Sequence, residues 1–329
     1  MPLLTACSWL YAGAVKNVLR CYERGLLKKE RLSKPVISVG NVTWGGVGKT
    51  PLVCWIAEYL KGRDLKPAIL TRGYMAESGC ISDESQMLKQ VLGDVPVGVG
   101  SNRIKSAGRI LKEYPADAFI LDDGFQHWRL LRDLDVVVID STNPFGNGHL
   151  IPRGILREPL KALLRAGCFV LTKTDLGQGN IETIKTRLYK INPQVPVVET
   201  IHQAVNLVSV SHPGETRDLQ FLKGRKIGAF AAIGDPGSFE KTLDSLGAAV
   251  TFFSPFRDHH QYSENDLRAV MQLARKNSVA TLVTTQKDEA QLLPFLESWP
   301  QGFSIFSLRI RIAITKNRDE FTHRISALF

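Results

Sequence analysis

The chain has 329 residues, 44% of them hydrophobic and 22% charged, with a formal net charge of +10. That length supports two domains with substantial cores, and that balance excludes a disordered or collagen-like chain. The excess of Lys and Arg calls for an anionic partner, whether nucleic acid, acidic lipid or a phosphorylated substrate.

The first element is the apolar run Pro2–Val15, followed by Lys16, Arg20, Arg24, Lys28, Lys29, Arg31 and Lys34. It falls short of the roughly 20 residues that span a bilayer. With no basic residue ahead of it, it does not read as a signal peptide. Its order predicts an interfacial helix: Leu3, Leu4, Trp9, Leu10 and Tyr11 reach the headgroup boundary while the basic residues meet anionic lipid. The alternative is an amphipathic helix packed on its own domain.

Apolar, β-branched runs then alternate with helical stretches at 35–40, 66–74, 118–124, 135–140, 168–175 and 195–200. Continuous rather than alternating apolar runs suit strands buried on both faces, which predicts an α/β fold with a mostly parallel sheet. Residues 201–225 turn to mixed polar strands and turns and read as a link. A second series at 226–239, 248–253, 280–288 and 303–308 predicts a smaller α/β domain. The expected organisation is an N-terminal helix region over 1–34, a P-loop NTPase-like domain over 35–200, linker strands over 201–225 and a small domain over 226–329. Cys7, Cys21, Cys54, Cys80 and Cys168 form no CxxC pair, so neither a disulfide framework nor a zinc site is expected, and a reducing cytoplasm is the default.

The first strand empties into Gly40–Pro51, "GNVTWGGVGKTP". A phosphate loop needs inward-pointing backbone N–H groups, glycines that leave room for phosphate, a lysine for the outer phosphates and a hydroxyl for Mg²⁺. Thr43, Trp44, Gly45, Gly46, Val47, Gly48, Lys49 and Thr50 form that loop. Thr43 stands where the usual pattern has its first glycine. A phosphate loop alone does not separate kinase, GTPase and ATPase.

Further on, "FILDDGFQH" ends a strand with Asp122 and Asp123, followed by Gln126 and His127. Paired acids at a strand end suit a metal or phosphate role, because burying them unpaired is costly. "PRGILREP" sets Arg153, Arg157 and Glu158 in a loop bounded by prolines, where the arginines could meet phosphate and Glu158 could meet Mg²⁺. "TKTD", Thr172–Asp175, approaches the guanine-recognition pattern of many GTPases. It keeps a membrane-associated P-loop GTPase or ATPase as the alternative to a kinase.

Together with "TRGY" (71–74), "SDE" (82–84), "GSNR" (100–103), "AAIGDPGSF" (231–239), "DHHQY" (258–262) and "TTQKD" (284–288), these stretches resemble, in order along nearly the whole chain, the tetraacyldisaccharide 4′-kinase family. Trp44, Met75 and Ser82 depart from its pattern. The resemblance implies transfer of the ATP γ-phosphate to the 4′-hydroxyl of a tetraacylated glucosamine disaccharide 1-phosphate. It places the protein, a monomer without nucleic-acid partners, at the anionic cytoplasmic face of a Gram-negative inner membrane. It further implies Lys49 and Thr50 on ATP phosphates and Mg²⁺, and Asp83 as the base for the 4′-hydroxyl, helped by His259 of the second domain. Thr50, Asp122, Asp123 and Glu158 become Mg²⁺ candidates, and Arg103, His127 and Arg157 would stabilise or position phosphate.

Overall fold

The computed structural model describes residues 2–73, 83–212, 214–258, 260–299 and 302–329. The chain divides into two compact units, one of Met1–Ile201 with Ile312–Phe329, the other of His202–Arg311.

The first unit runs α1 (Pro2–Glu23), β1 (Val36–Gly40), α2 (Lys49–Lys61), β2 (Pro67–Thr71), α3 (Asp83–Leu92), β3 (Val97–Val99), α4 (Arg103–Glu113), β4 (Ala118–Asp122), β5 (Leu134–Asp140), β6 (Cys168–Thr172), α5 (Ile181–Ile191) and the start of β7 (Val197–Ser209). Its strands pair in the order β7-β6-β5-β1-β4-β2-β3, each neighbouring pair parallel. Successive residues of β5 and β6 serve opposite layers. Val136, Val138, Cys168 and Val170 pack with Leu52, Ile56 and Leu60 of α2, while Val137, Ile139, Phe169 and Leu171 pack with Ile184 and Leu188 of α5. Burial on both faces is why these strands read as unbroken apolar runs. β3 lies outside those runs, because its three half-buried residues carry no run long enough to register.

After β1 the chain steps over β4 to β2, and after β4 it returns past β1 to β5, so the strand order reverses beside β1. Ligand crevices in open α/β sheets form at such reversals, outside the carboxyl ends of the strands. Register pairs Val39 with Asp122 on β4, so the loop after β1 and the carboxylates after β4 leave the sheet as neighbours.

The second unit contains the rest of β7, β8 (Thr216–Arg217), β9 (Lys226–Ala231), α6 (Pro236–Ser245), β10 (Ala249–Pro255), α7 (Glu264–Lys276), β11 (Thr281–Thr285), α8 (Gln286–Leu292) and most of β12 (Ser304–Lys316). Strands β10, β9, β11 and β12 pair in that order, all parallel. The polar stretch 201–225 is mainly the long strand β7 and the short β8, which pair antiparallel.

The chain's end does not stay with the second unit as composition suggested. β12 runs on to Lys316, and α9 (Arg318–Ser326) joins the first unit. There Phe321 and Ile325 are fully buried against the α2 layer. Phe321 stacks on Trp55 at 5.4 Å, and Tyr59 meets Ser326 through a 2.9 Å hydroxyl pair. Burying aromatic area on the helix that follows the glycine loop outweighs proximity in sequence.

Candidate active site

Gly40 ends β1 where a Cβ would lie 2.5 Å from the Phe125 nitrogen, so only glycine admits the β4–β5 loop this closely. Asn41, fully buried, follows it. Its amide donates to the Thr43 carbonyl (2.7 Å) and Oγ1 (3.1 Å), which turns the chain out of the strand. Gly45 and Gly48 sit at φ 122° and 84°, in the region that favours glycine. A Cβ on Gly45 would meet nothing within 4 Å, so that side of the loop is open to a ligand. Lys49 and Thr50 then begin α2, whose first-turn amides have no partner within the helix and favour an anion.

Charge converges on this turn. The Lys49 ammonium donates to Asn41 Oδ1 at 3.1 Å and stands 3.5 Å from Asp123 Oδ1. Arg157 Nη1 donates to both Asp123 oxygens, at 2.8 and 3.1 Å, and reaches Asn41 Oδ1 at 3.4 Å. Burial would raise the Asp123 pKa, but Lys49 and Arg157 together hold it well below the usual carboxylate range. Asp123 also adopts φ 50°, an αL conformation that Asp tolerates, at the end of a buried strand.

The loop 147–158 delivers Arg157 by pairing with the glycine loop. Trp44 N–H donates to the Ile155 carbonyl at 2.6 Å, and Arg157 N–H to the Val42 carbonyl at 2.7 Å. Thr43 bridges Leu156 between them. Trp44 keeps its ring exposed, so its bulk does not fill the loop. Glu158 is fully buried, and both its oxygens accept from Arg165 at 3.0 Å, with Gln126 adding a donor at 3.1 Å. Arg165 in turn lies over the Phe125 ring at 4.3 Å. The side chain expected on a metal is thus committed to an ion pair that fixes the loop.

Arg103 opens α4 and is almost fully buried. Its Nε and the Nε2 of His127 are buried without a hydrogen-bond partner, an arrangement that calls for explanation in a folded protein. Burial, then Arg103, Arg132, Arg129 and Arg72, bring the His127 pKa down to about 4. Burial and Arg72 lower that of Arg103 as well, partly offset by Asp123 and Asp122. Arg103 is thus a buried cation beside a neutral imidazole with a free ring nitrogen, a pairing that suits an anion.

The "TKTD" segment braces the glycine loop from behind. Thr172 Oγ1 donates to the Val47 carbonyl at 2.8 Å, and Lys173 donates to the Gly46 carbonyl at 3.4 Å and to Asp140 at 2.5 Å. Among the described residues no cluster of three or more His, Cys, Asp or Glu side chains is assembled for a metal. A Mg²⁺ at this site would complete its shell with phosphate oxygens and water.

Helix α1 docks on the same unit. Ser8 donates to the Leu150 carbonyl at 2.7 Å, Tyr11 to the Arg157 carbonyl at 2.9 Å, and Val15 is buried. Between α1 and the 148–160 loop lies a cleft of about 330 Å³. Trp9 lines that cleft yet is 74% exposed, and Leu3 and Leu10 are 75% and 76% exposed. No helix among the described residues is long and apolar enough to cross a membrane.

Asp83 begins α3, but its side chain and Ser82 lie outside the described residues, as does His259. In the second unit His260 stacks on Phe256 at 4.9 Å and meets Asp266 at 3.1 Å. Asn41 and Arg165 are the site residues that motif reading did not assign. Asn41 was visible as a polar residue wedged between a buried strand and a glycine loop, whereas nothing local marks Arg165.

The whole chain, residues 1–329, matches the family model described as tetraacyldisaccharide-1-P 4′-kinase. It is 38% identical to the tetraacyldisaccharide 4′-kinase of Syntrophus aciditrophicus, covering 92% of this chain and 86% of that protein. It is 33% identical to a probable mitochondrial tetraacyldisaccharide 4′-kinase of Arabidopsis thaliana, covering 99% and 90%. A crystal structure of LpxK from Aquifex aeolicus in complex with ATP superposes with a TM-score of 0.76 at 29% identity, over 99% of this chain and 98% of that one.

Proposed function

The chain belongs to the tetraacyldisaccharide-1-P 4′-kinase family, and from that premise we infer that it transfers the ATP γ-phosphate to the 4′-hydroxyl of a tetraacylated glucosamine disaccharide 1-phosphate, a step of lipid A biosynthesis. The observation that carries this reading within the site is the meeting of Lys49, Arg157 and Asp123 at the mouth of an open glycine loop. Phosphoryl transfer asks little covalent chemistry of a protein and much positioning and charge stabilisation. The loop amides from Gly45 to Thr50 cradle the phosphates. Lys49 and Arg157 offset charge on the transferring group, and Asn41 sets both cations.

Thr50, Asp122 and Asp123 are the residues that would hold Mg²⁺, which would supply positive charge against the phosphates. Glu158 we assign to holding the Arg157 loop. Asp83 takes the proton of the 4′-hydroxyl as the new P–O bond forms, assisted by His259. His260 is the weaker candidate for that part, being engaged by Phe256 and Asp266. Arg103 and His127 position a phosphate of the lipid. The anionic membrane surface receives the exposed face of α1 and the basic residues behind it, at the cytoplasmic side of the inner membrane.

A transfer assay with γ-labelled ATP and the disaccharide 1-phosphate lipid in detergent micelles tests this reading, with GTP alongside. Label is expected on the lipid and from ATP. Label found as inorganic phosphate alone, with or without lipid, would instead favour an ATPase or GTPase.

A further inference from the structure

Two motifs of the second unit, "DHHQY" and "TTQKD", meet in a way the reaction as described does not use. Asp288 of α8 is fully buried. Its Oδ1 accepts from the Ala232 amide at 3.0 Å and from the Tyr262 hydroxyl at 3.1 Å, and its Oδ2 accepts from Thr285 at 2.5 Å and Thr284 at 3.3 Å. A buried carboxylate is costly unless several donors meet it. Here the donors tie the ends of β9 and β11 to one loop. The same helix supplies two more ties: Lys287 to Asp258 at 2.7 Å and Gln291 to the Tyr262 amide at 3.3 Å. Tyr262 is buried edge-on to Phe230, Phe256 and His260. The His260 ring is held by Phe256 and by Asp266, which also caps α7. The chain is therefore anchored at Asp258 on one side of position 259 and at His260 and Tyr262 on the other.

We propose that Asp288, with Lys287 and Gln291, is a positioning device for Asp258, His260 and Tyr262, the described residues around position 259, and that it serves phosphoryl transfer through the part assigned to His259. The inference rests on the reading that His259 assists the base. The hydrogen bonds of these α8 residues run to the loop and to the strand ends. They act through the loop, where a displacement of about 1 Å at a reacting group can cost up to about 10²-fold in rate.

The test uses the full-length protein with lipid substrate in micelles. Tyr262→Phe deletes one hydroxyl from a site that stays packed, and Lys287→Met deletes the tie to Asp258. Each is expected to lower kcat about tenfold with the KM for ATP and the thermal midpoint nearly unchanged. Asp288→Ala is expected to lower kcat further, with Asp288→Asn recovering part of the loss. Combined with His259→Ala, Tyr262→Phe is expected to add less than about a twofold loss, as groups acting through one another do. If Tyr262→Phe and Lys287→Met leave kcat intact while His259→Ala abolishes turnover, the positioning inference is overturned and the reading of His259 stands. If His259→Ala is itself active, that reading fails. If the losses multiply in the double variant, α8 contributes by a route other than His259 and the inference is wrong.

Discussion

The Lys49 ammonium donates to the side-chain oxygen of Asn41 at 3.1 Å, and the same oxygen faces Arg157 Nη1 at 3.4 Å. One buried amide thus holds the glycine loop from within, through Thr43, and meets the two cations proposed to act on the phosphates. Its own backbone carbonyl is engaged by Gln126 at 3.0 Å.

Removing that amide is expected to cost both stability and rate. Asn41→Ala leaves the Thr43 carbonyl short of a donor in a buried turn, for about 1–3 kcal/mol of destabilisation by urea unfolding. It is expected to lower kcat by about 10–10² as Lys49 and Arg157 lose their alignment. Lys49→Ala, which removes the cation proposed to offset charge on the transferring phosphoryl group, is expected to lose more rate with little loss of stability. Full activity in a folded Asn41→Ala variant would detach Asn41 from the site.

The glycine loop, the paired acids and the β-α-β rhythm were legible because each is a local pattern: a buried run, then glycines, then a helix opening on Lys49. Arg165 was not, since its role depends on Glu158 and Phe125 arriving from separate turns of the chain. Nor was the return of α9, because the pairing of Phe321 with Trp55 is a tertiary choice that no periodicity encodes. The Glu158 expectation shows the same limit. An acid beside an arginine in a proline-bounded loop suits a metal or an ion pair equally well until its neighbours are known.

His127 makes stability depend on pH in a definite window. Burial and the surrounding arginines lower its pKa from 6.5 to about 4 in the folded chain. The unfolded chain therefore binds a proton first as pH falls, and stability declines between about pH 6.5 and pH 4. Asp123 works lower down. Its depressed pKa gives stability that is present above the ordinary carboxylate range and lost below about pH 4. Urea unfolding of His127→Gln across pH is expected to flatten the curve between about 6.5 and 4 and to leave the more acidic limb in place. An unchanged upper window would assign that limb to other groups.

Helix α1 offers separable faces. Leu3 and Leu10 are exposed away from the docked face, Trp9 is exposed where it lines the cleft beside the 148–160 loop, and Ser8, Tyr11 and Val15 hold the helix on the unit. Trp9→Ser with Leu10→Ser is expected to cut partition onto anionic vesicles at least about tenfold, since each inserted side chain is worth about 1.5–3 kcal/mol. Added salt should weaken the binding of the unaltered chain by screening the basic residues. Activity on a soluble, short-chain acceptor should persist in the variant. Equal sedimentation of both proteins with vesicles would make α1 a packing helix.

Glu158 and Asp122 divide the metal question experimentally. Glu158 gives both oxygens to Arg165 and shares one with Gln126, and it is fully buried. Glu158→Gln removes the charge that Arg165 was placed to meet, so the cost should fall on folding: about 1–3 kcal/mol, less than the full penalty of breaking a buried pair because Arg165 keeps partial access to water. With the loop loosened, Arg157 is less well placed and kcat should fall. The Mg²⁺ concentration for half-maximal rate should not move, because the lost carboxylate is assigned to Arg165 rather than to the metal. Asp122 ends the strand next to the glycine loop and is among the residues proposed to hold the metal, so Asp122→Asn should raise that concentration at least about tenfold at nearly unchanged stability. Rate against Mg²⁺ at saturating ATP, together with thermal midpoints, separates the two behaviours. A Glu158→Gln variant of normal stability that needs far more Mg²⁺ would return Glu158 to the metal and leave Arg165 as its orienting partner.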